Sequence, residues 1–448
     1  MSPFSKLAAR APELSLPSRQ LPSRRPPLGP GPRPRPAQTR SITVLREGPH
    51  EGQRERPNRP AEGRLIPWPE VPAYPVAGDL GLLTGPGSAP ERAGGLLTLG
   101  QPFFTTAGRT ALGWALRAAG LKAGDRVLLP AYHCLAMIEP MEWLGLTPVY
   151  YRLHEDLSID LKALEGRLDP ACKALVAVNY FGFPQDGARL RAFCDGFGLT
   201  LIEDCAHSFY GEAGGQPLGS FGDFTIGSFP KFFPLRAGGC LVSSRRKLDL
   251  APLAAPGPLD NLQALVRELQ MAHYYGRLGA LRPATTAGAA LAKLMLLARL
   301  GADPARLGDG ARGLDYQAGA VARRTLGSSD AAWLAQRRRH NYETICRRLA
   351  GVPGVTLLKP DLAPGVVPYM VPLRLPGLRR VFADLEERAL PMQRFGQFLD
   401  PALDESLCPV SSDLSHHGLQ LPCHQSLRDD EIDWMVGQLA EACAAAGR

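Results

Sequence analysis

The chain reads as an α/β protein in which a mostly parallel sheet is covered by helices, followed by a smaller C-terminal α+β domain. Three observations predict this. From about Leu96, short apolar runs alternate regularly with amphipathic stretches. The apolar runs are near-continuous in Val, Ile and Leu, the pattern of strands buried on both faces of a parallel sheet. Beyond residue 330 the rhythm changes to one long helix, two strands and a terminal helix.

Taken in order, "TTAGRTALGWALRAAG" places Ala111, Leu112, Ala115, Leu116 and Ala119 at helical spacing. "DRVLLPAY" predicts a short buried strand, "AMIEPMEWLG" a helix interrupted by Pro140, and "TPVYYRL" a strand. "DLKALEGRL", "KALVAVNYF", "DGARLRAFCDGFG" and "LTLIEDC" continue as helix, strand, helix and strand. "FTIGSF" and "GGCLVSS" predict two strands set closer together, joined by a loop containing Lys231. Residues 251–330, rich in Ala, Leu and Arg, read as helical with breaks at Pro283 and Pro304. "SDAAWLAQRRRHNYETICRRLAG" leads as a long helix into the second domain. There "VVPYMVPLRL" and "GLQLPCH" predict strands, and "DDEIDWMVGQLAEACAAA" a helix with the acidic first turn its dipole favours.

Composition sets bounds. The net charge of +8 is concentrated in residues 1–62, where twelve Lys and Arg face five Glu, leaving the rest of the chain close to neutral. A basic groove for nucleic acid is therefore not expected in the folded part. The same tail holds thirteen of the 43 prolines and is expected to be disordered. The expected domains are this tail (1–62), a large α/β domain (63–330) and a small C-terminal domain (331–448). The tail has no continuous apolar stretch, and Ala289–Leu300, the longest apolar segment, carries Lys293 and Arg299. Neither a secretory signal nor a membrane span is expected. Nine scattered cysteines without a C-x-x-C pair read as reduced thiols of a cytoplasmic protein.

Chemistry concentrates in "IEDCAHSFYGEAGGQPLGSFGDFTIGSFPKFFPLRAGGCLV", residues 202–242. Asp204 ends a predicted strand, where open α/β sheets bind ligands, so it either faces a ligand nitrogen or caps the next turn. His207 either meets a ligand ring or is a buried, satisfied histidine. Lys231 lies among Phe229, Phe232 and Phe233. It is either a desolvated nucleophilic amine or a lysine snorkelling out of an aromatic patch. Upstream, Gly108, Arg109 and Thr110 open a helix whose free N–H groups and Thr110 hydroxyl suit a phosphate. A phosphate cradle, a carboxylate for a ring nitrogen, a group over the ring and a lysine for an aldehyde are together the requirements of pyridoxal 5′-phosphate.

The order and spacing of these parts resemble the DegT/DnrJ/EryC1/StrS family of sugar aminotransferases. The resemblance rests on "AGRTAL", "GDRVLLPAY", "EDCAHSFYG", "GSFGDF" and "SFPKFFPLRAGG", and on "LQLPCHQSLRDDEI" near the end. It covers residues 95–245 well and 320–440 loosely. It implies a fold type I homodimer with its active site at the subunit interface. Lys231 would form the Schiff base, Asp204 would pair with the ring nitrogen, and His207 would sit beside the ring. Gly108, Arg109, Thr110 and Ser228 would surround the phosphate. The implied activity is transfer of an amino group from an amino acid, glutamate by resemblance, to a keto-sugar nucleotide for polysaccharide or glycoconjugate synthesis.

The chain departs from the family pattern in three places. Ser228 and Lys231 are three positions apart where five is usual, although Lys231 to Gly238 keeps the usual seven. Arg236-Ala237 stands where Gly-Glu is usual. Cys134 falls where a ring-stacking aromatic is expected, and Tyr132 or His133 is expected to take that role. Two other readings remain open at this level. One is a sugar dehydratase of the same family, although members with that chemistry carry histidine in place of the lysine. The other is a non-catalytic scaffold using the same fold. "GDGARG" (308–313) fits G-x-G-x-x-G but follows no strand and reads as a loop. No metal site is expected, because no second ligand pair stands at zinc spacing.

Overall fold

The computed structural model describes residues 93–274 and 311–446. The tail 1–62, the stretch 289–300, Pro283, Pro304 and the start of "GDGARG" lie outside the described residues.

Seven strands form the main sheet: β1 (Phe103–Thr105), β2 (Arg126–Pro130), β3 (Thr147–Tyr151), β4 (Cys172–Val178), β5 (Thr200–Asp204), β8 (Phe224–Ser228) and β9 (Gly239–Val242). A small hairpin of β6 (Glu212–Ala213) and β7 (Gln216–Pro217) stands apart from it. The sheet order is β1-β9-β8-β5-β4-β2-β3. All neighbours from β8 to β3 pair in parallel, and β9 alone runs against both its neighbours. The parallel strands are apolar on both faces because helices cover both. Leu128, Leu175, Val176, Leu201 and Ile202 are all fully buried.

The helix Gly108–Ala118 follows β1 and buries Ala111, Leu112, Ala115 and Leu116. Its start lies against β9. A Cβ on Gly239 would stand 2.6 Å from the carbonyl carbon of Ala107 and 2.8 Å from the Gly108 nitrogen. Gly238, at φ +118°, turns the chain into β9 and packs on Phe229. The Gly-Gly pair thus exists to let the helix start approach the sheet. Gly239→Ala is expected to destabilise the fold by about 1–3 kcal/mol, because the obstructing atoms are backbone. Thermal unfolding of the variant checks this.

A second, antiparallel sheet joins β10 (Thr356–Leu357), β11 (Met370–Arg374) and β12 (Gly418–Pro422). The helices Ala331–Leu349, Leu378–Glu387 and Asp429–Ala446 supply its core, with Ile345, Leu385, Met435 and Leu439 buried against Val371, Leu373 and Leu421. Asp330 caps the first of these helices by accepting the Trp333 N–H.

Several elements differ from expectation. Pro140 does not interrupt a helix. It sits in the first turn of Glu139–Leu144, where a missing N–H costs nothing, and a separate 3₁₀ turn, Leu135–Met137, precedes it. The helix expected in "DLKALEGRL" is only Leu161–Glu165. Strand β1 was not expected, since three residues are too few to show a period. The helices Leu378–Glu387 and Pro409–His417 were also missed. The first of these carries a legible stripe of Leu378, Val381 and Leu385.

Candidate active site

A cavity of about 270 Å³ opens beyond the carboxyl ends of the parallel strands, the usual ligand position in such sheets. Val178, Asp204 and Ile226 form one row across β4, β5 and β8 and line it together. Around this row stand Gly108 and Arg109 from the helix start, His207 from the loop after β5, and Ser228 and Lys231 from the end of β8.

Lys231 reaches the cavity through a tight device. Strand β8 ends at Ser228, and the chain passes directly into a 3₁₀ turn, Phe229–Lys231. Ser228, still extended at the strand end, and Lys231, at the end of the turn, both line the cavity. The turn is held by the Phe229 N–H on Gly238 O (3.0 Å) and by the Phe232 and Phe233 N–H groups on Phe229 O (3.0 and 2.9 Å). Phe229, Phe232 and Phe233 are fully buried and pack around Phe209 beneath the turn. They form a base under the turn; the ring facing the amine belongs to Tyr369, whose centroid is 5.5 Å from Lys231 Nζ. Burial holds the Lys231 amine below its ordinary pKa, with Cys134 and Asp204 partly opposing.

Asp204 is buried, and burial raises its carboxyl pKa against the pull of the Ala206 N–H and Lys231. Its Oδ1 accepts the Ala206 N–H at 2.9 Å; the described hydrogen bonds leave Oδ2 uncommitted. Capping and facing a ligand are thus compatible roles for one side chain. The preceding Glu203 projects to the opposite side of the strand. It accepts N–H groups from Gly219, Phe221 and Gly222, folding the "GSFG" loop. His207 is stacked between Phe181 (5.4 Å) and Tyr369 (4.9 Å), and its Nδ1 accepts the Phe181 N–H at 3.4 Å. Burial, and secondarily Lys231, holds it well below the usual histidine pKa, so it is neutral.

At the helix start, the N–H groups of residues 108–110 precede the first helical bond, Ala111 N–H to Ala107 O at 3.0 Å. Gly108 lies beside Ser228, whose Oγ would be 3.5 Å from a Cβ placed there. These amides and the Ser228 hydroxyl could serve as a cradle for an anion. The Arg109 guanidinium is engaged elsewhere, by both carboxylate oxygens of Glu139 at 2.7 and 2.9 Å, so residue 109 offers the cradle its amide.

Three expected residues do not line the cavity. The Thr110 hydroxyl is fully buried and closes the helix cap, accepting the Ala107 N–H at 3.0 Å and donating to Ala107 O at 2.7 Å. Tyr132 is buried and donates to Phe395 O at 2.8 Å. His133 stacks on Tyr150 and accepts the Asp400 N–H at 3.0 Å. Neither ring replaces the missing aromatic; Cys134 itself lines the cavity, together with Ala136 and Met137 of the turn that follows. Burial raises its thiol pKa, although Lys231 opposes this. Tyr369 and Phe395 were missed, because both come from the C-terminal third and stand in no motif. Among the described residues no helix is long and apolar enough to cross a membrane, and all nine cysteines are free thiols.

Comparison with known proteins meets this geometry. The chain is 34% identical over 149 residues to the UDP-N-acetyl-3-dehydro-alpha-D-glucosamine 3-aminotransferase of Acidithiobacillus ferrooxidans, covering 32% of this chain and 40% of that protein. It is 33% identical over 140 residues to the GDP-perosamine synthase of Vibrio cholerae, covering 31% of this chain and 38% of that protein. The matches thus span well under half the length of these relatives. In fold, the chain resembles DesI, solved in the presence of its TDP-sugar product, with a TM-score of 0.59 at 22% identity over 80% of this chain and 84% of that one. Residues 103–249, the segment that carries β1 to β9 and most of the residues lining the cavity, match the DegT/DnrJ/EryC1/StrS aminotransferase family.

Proposed function

We propose that the protein is a pyridoxal phosphate-dependent aminotransferase. It moves an amino group from an amino acid, glutamate being the expected donor, to the keto group of a nucleotide-linked sugar used in polysaccharide or glycoconjugate synthesis. One observation carries the reading: a desolvated lysine amine, a buried carboxylate with a free oxygen, a neutral histidine and a helix-start anion cradle line one cavity.

The residues fit the cofactor. The amides of residues 108–110 and the Ser228 hydroxyl would hold its phosphate, and Asp204 its ring nitrogen. When bound, the cofactor supplies an electron sink for a proton leaving the donor carbon. Asp204, acting through Oδ2, keeps a proton on the ring nitrogen, and burial strengthens that charge-assisted bond. Lys231 Nζ offers a neutral amine at lower pH than an ordinary lysine, first as nucleophile and then as the base that carries a proton. His207, held flat between two rings, presents an uncharged imidazole edge. Under the proposed division, most of the residues lining the cavity belong to the large domain (63–330) and Phe395 to the smaller one (331–448), which also carries Tyr369. The protein is expected to act as a cytoplasmic homodimer.

The test is a half-reaction without sugar. Cofactor-loaded protein given glutamate is expected to release one 2-oxoglutarate per site and lose its yellow band. A keto-sugar nucleotide should then restore the band and yield the amino sugar. Glutamine and aspartate are tried in parallel. If no donor produces its 2-oxo acid in intact, loaded protein, the reading fails.

A further inference from the structure

Arg338 is the middle of three consecutive arginines on the helix Ala331–Leu349. Its neighbours are partly exposed: Arg337 pairs with Asp429, and Arg339 with Glu343. Arg338 is fully buried, on the buried stripe of Leu334, Asn341, Tyr342 and Ile345. No carboxylate among the described residues pairs with it. Burial lowers its pKa to about 10, which still leaves it a cation at neutral pH. For stability alone, an apolar side chain of similar volume would serve such a position as well or better.

Its hydrogen bonds show what the charge does. One guanidinium nitrogen donates to the backbone carbonyl of Lys231 at 2.9 Å. Another donates to the carbonyls of Pro368 and Tyr369 at 3.3 and 3.2 Å. Nε donates to Gln425 Oε1 at 2.8 Å, and Gln425 Nε2 donates in turn to Phe232 O at 2.9 Å. The guanidinium lies over the Phe232 ring at 4.4 Å. One rigid fork therefore ties the turn that carries Lys231 to the segment that carries Tyr369. The Tyr369 ring is the surface on which both Lys231 Nζ and His207 rest.

We propose that Arg338, closed by Gln425, is a positioning residue that fixes the Lys231 amine relative to His207. This rests on the reading of Lys231 as the cofactor-binding lysine. A shortened Ser228–Lys231 turn leaves little backbone to place the amine by itself, and the brace supplies the constraint from the C-terminal part of the chain.

The test uses the full-length protein and the variants Arg338→Lys and Gln425→Met, with folding checked by circular dichroism. Arg338→Lys keeps the cation and loses the fork. Gln425→Met leaves Arg338 in place and opens the ring, and decides the matter if Arg338→Lys does not fold. Two quantities are measured: the rate at which pyridoxal phosphate becomes fixable to Lys231 by borohydride, and the affinity for 4′-deoxypyridoxine phosphate. That analogue has the phosphate and ring but no aldehyde. The expected result is a ~10–100-fold slower attachment, the scale of a misplaced reacting group, with unchanged analogue affinity. Unchanged attachment overturns the proposal, and so does a parallel loss of analogue affinity, which would mark a merely structural role. Wild-type protein that attaches no cofactor at Lys231 overturns instead the functional reading beneath it.

Discussion

Lys231→Ala protein is expected to carry no borohydride-fixed pyridoxal phosphate and to release 2-oxo acid from an amino donor on the order of 10²–10⁴-fold more slowly than wild type, the usual contribution of a positioned base. Phosphate and ring contacts through residues 108–110, Ser228 and Asp204 remain, so the variant should still bind 4′-deoxypyridoxine phosphate. The nearest competing amine along the chain, Lys247, is exposed. Peptide mapping of reduced wild-type protein decides between them. Label on Lys247, or a Lys231→Ala protein that still releases 2-oxo acid at the wild-type rate, would remove Lys231 from the chemistry.

Asp204→Asn should produce two effects of opposite sense. The amide cannot keep a proton on the ring nitrogen, so the half-reaction with an amino donor should fall by about 10²–10³-fold, as when one preorganised electrostatic group is removed. Lys231, by contrast, should become easier to deprotonate. Asp204 raises the Lys231 pKa, since a nearby anion favours the ammonium form. Removing that charge lowers the value further, and a larger fraction of the amine is neutral at a given pH. The pH profile for capture of pyridoxal phosphate by Lys231 should therefore bend at lower pH in the variant than in wild type. Both profiles should bend below the ordinary lysine value of about 10.4. A variant with near wild-type half-reaction rates would leave Asp204 only its cap on the Ala206 N–H.

The central strands were legible because each is a near-continuous apolar run with few water-facing positions, Lys173 near the start of β4 being one. The same local logic placed Asp204 at a strand end and Gly108 at a helix start. These are properties of a few consecutive residues, and backbone sterics and burial decide them within one element. Strand β1 escaped because it is three residues long and borrows its stability from β9. Thr110 illustrates the limit of motif reading: a hydroxyl in the first turn can face an anion or close its own cap, and here it closes the cap. Glu203 and Asp204 are alike in sequence and separate only because adjacent strand residues point to opposite sides. The short Ser228–Lys231 spacing is bridged by a single 3₁₀ turn that directly follows the strand, and both residues still line the cavity.

Long-range packing alone decided the rest. Tyr369 faces Lys231 from 138 positions away, Phe395 reaches the cavity from farther still, and Arg338 holds the Lys231 carbonyl across 107 positions. Nothing local distinguishes Arg338 from the arginines beside it except its place on the buried stripe. Only the folded chain shows that the carbonyls awaiting it belong to the lysine turn and to the Tyr369 segment. Sequence by itself determined which residues could do chemistry and roughly which element carries each. The tertiary structure decided which of them share a cavity, because convergence depends on side-chain direction and on contacts between segments that the linear order keeps apart.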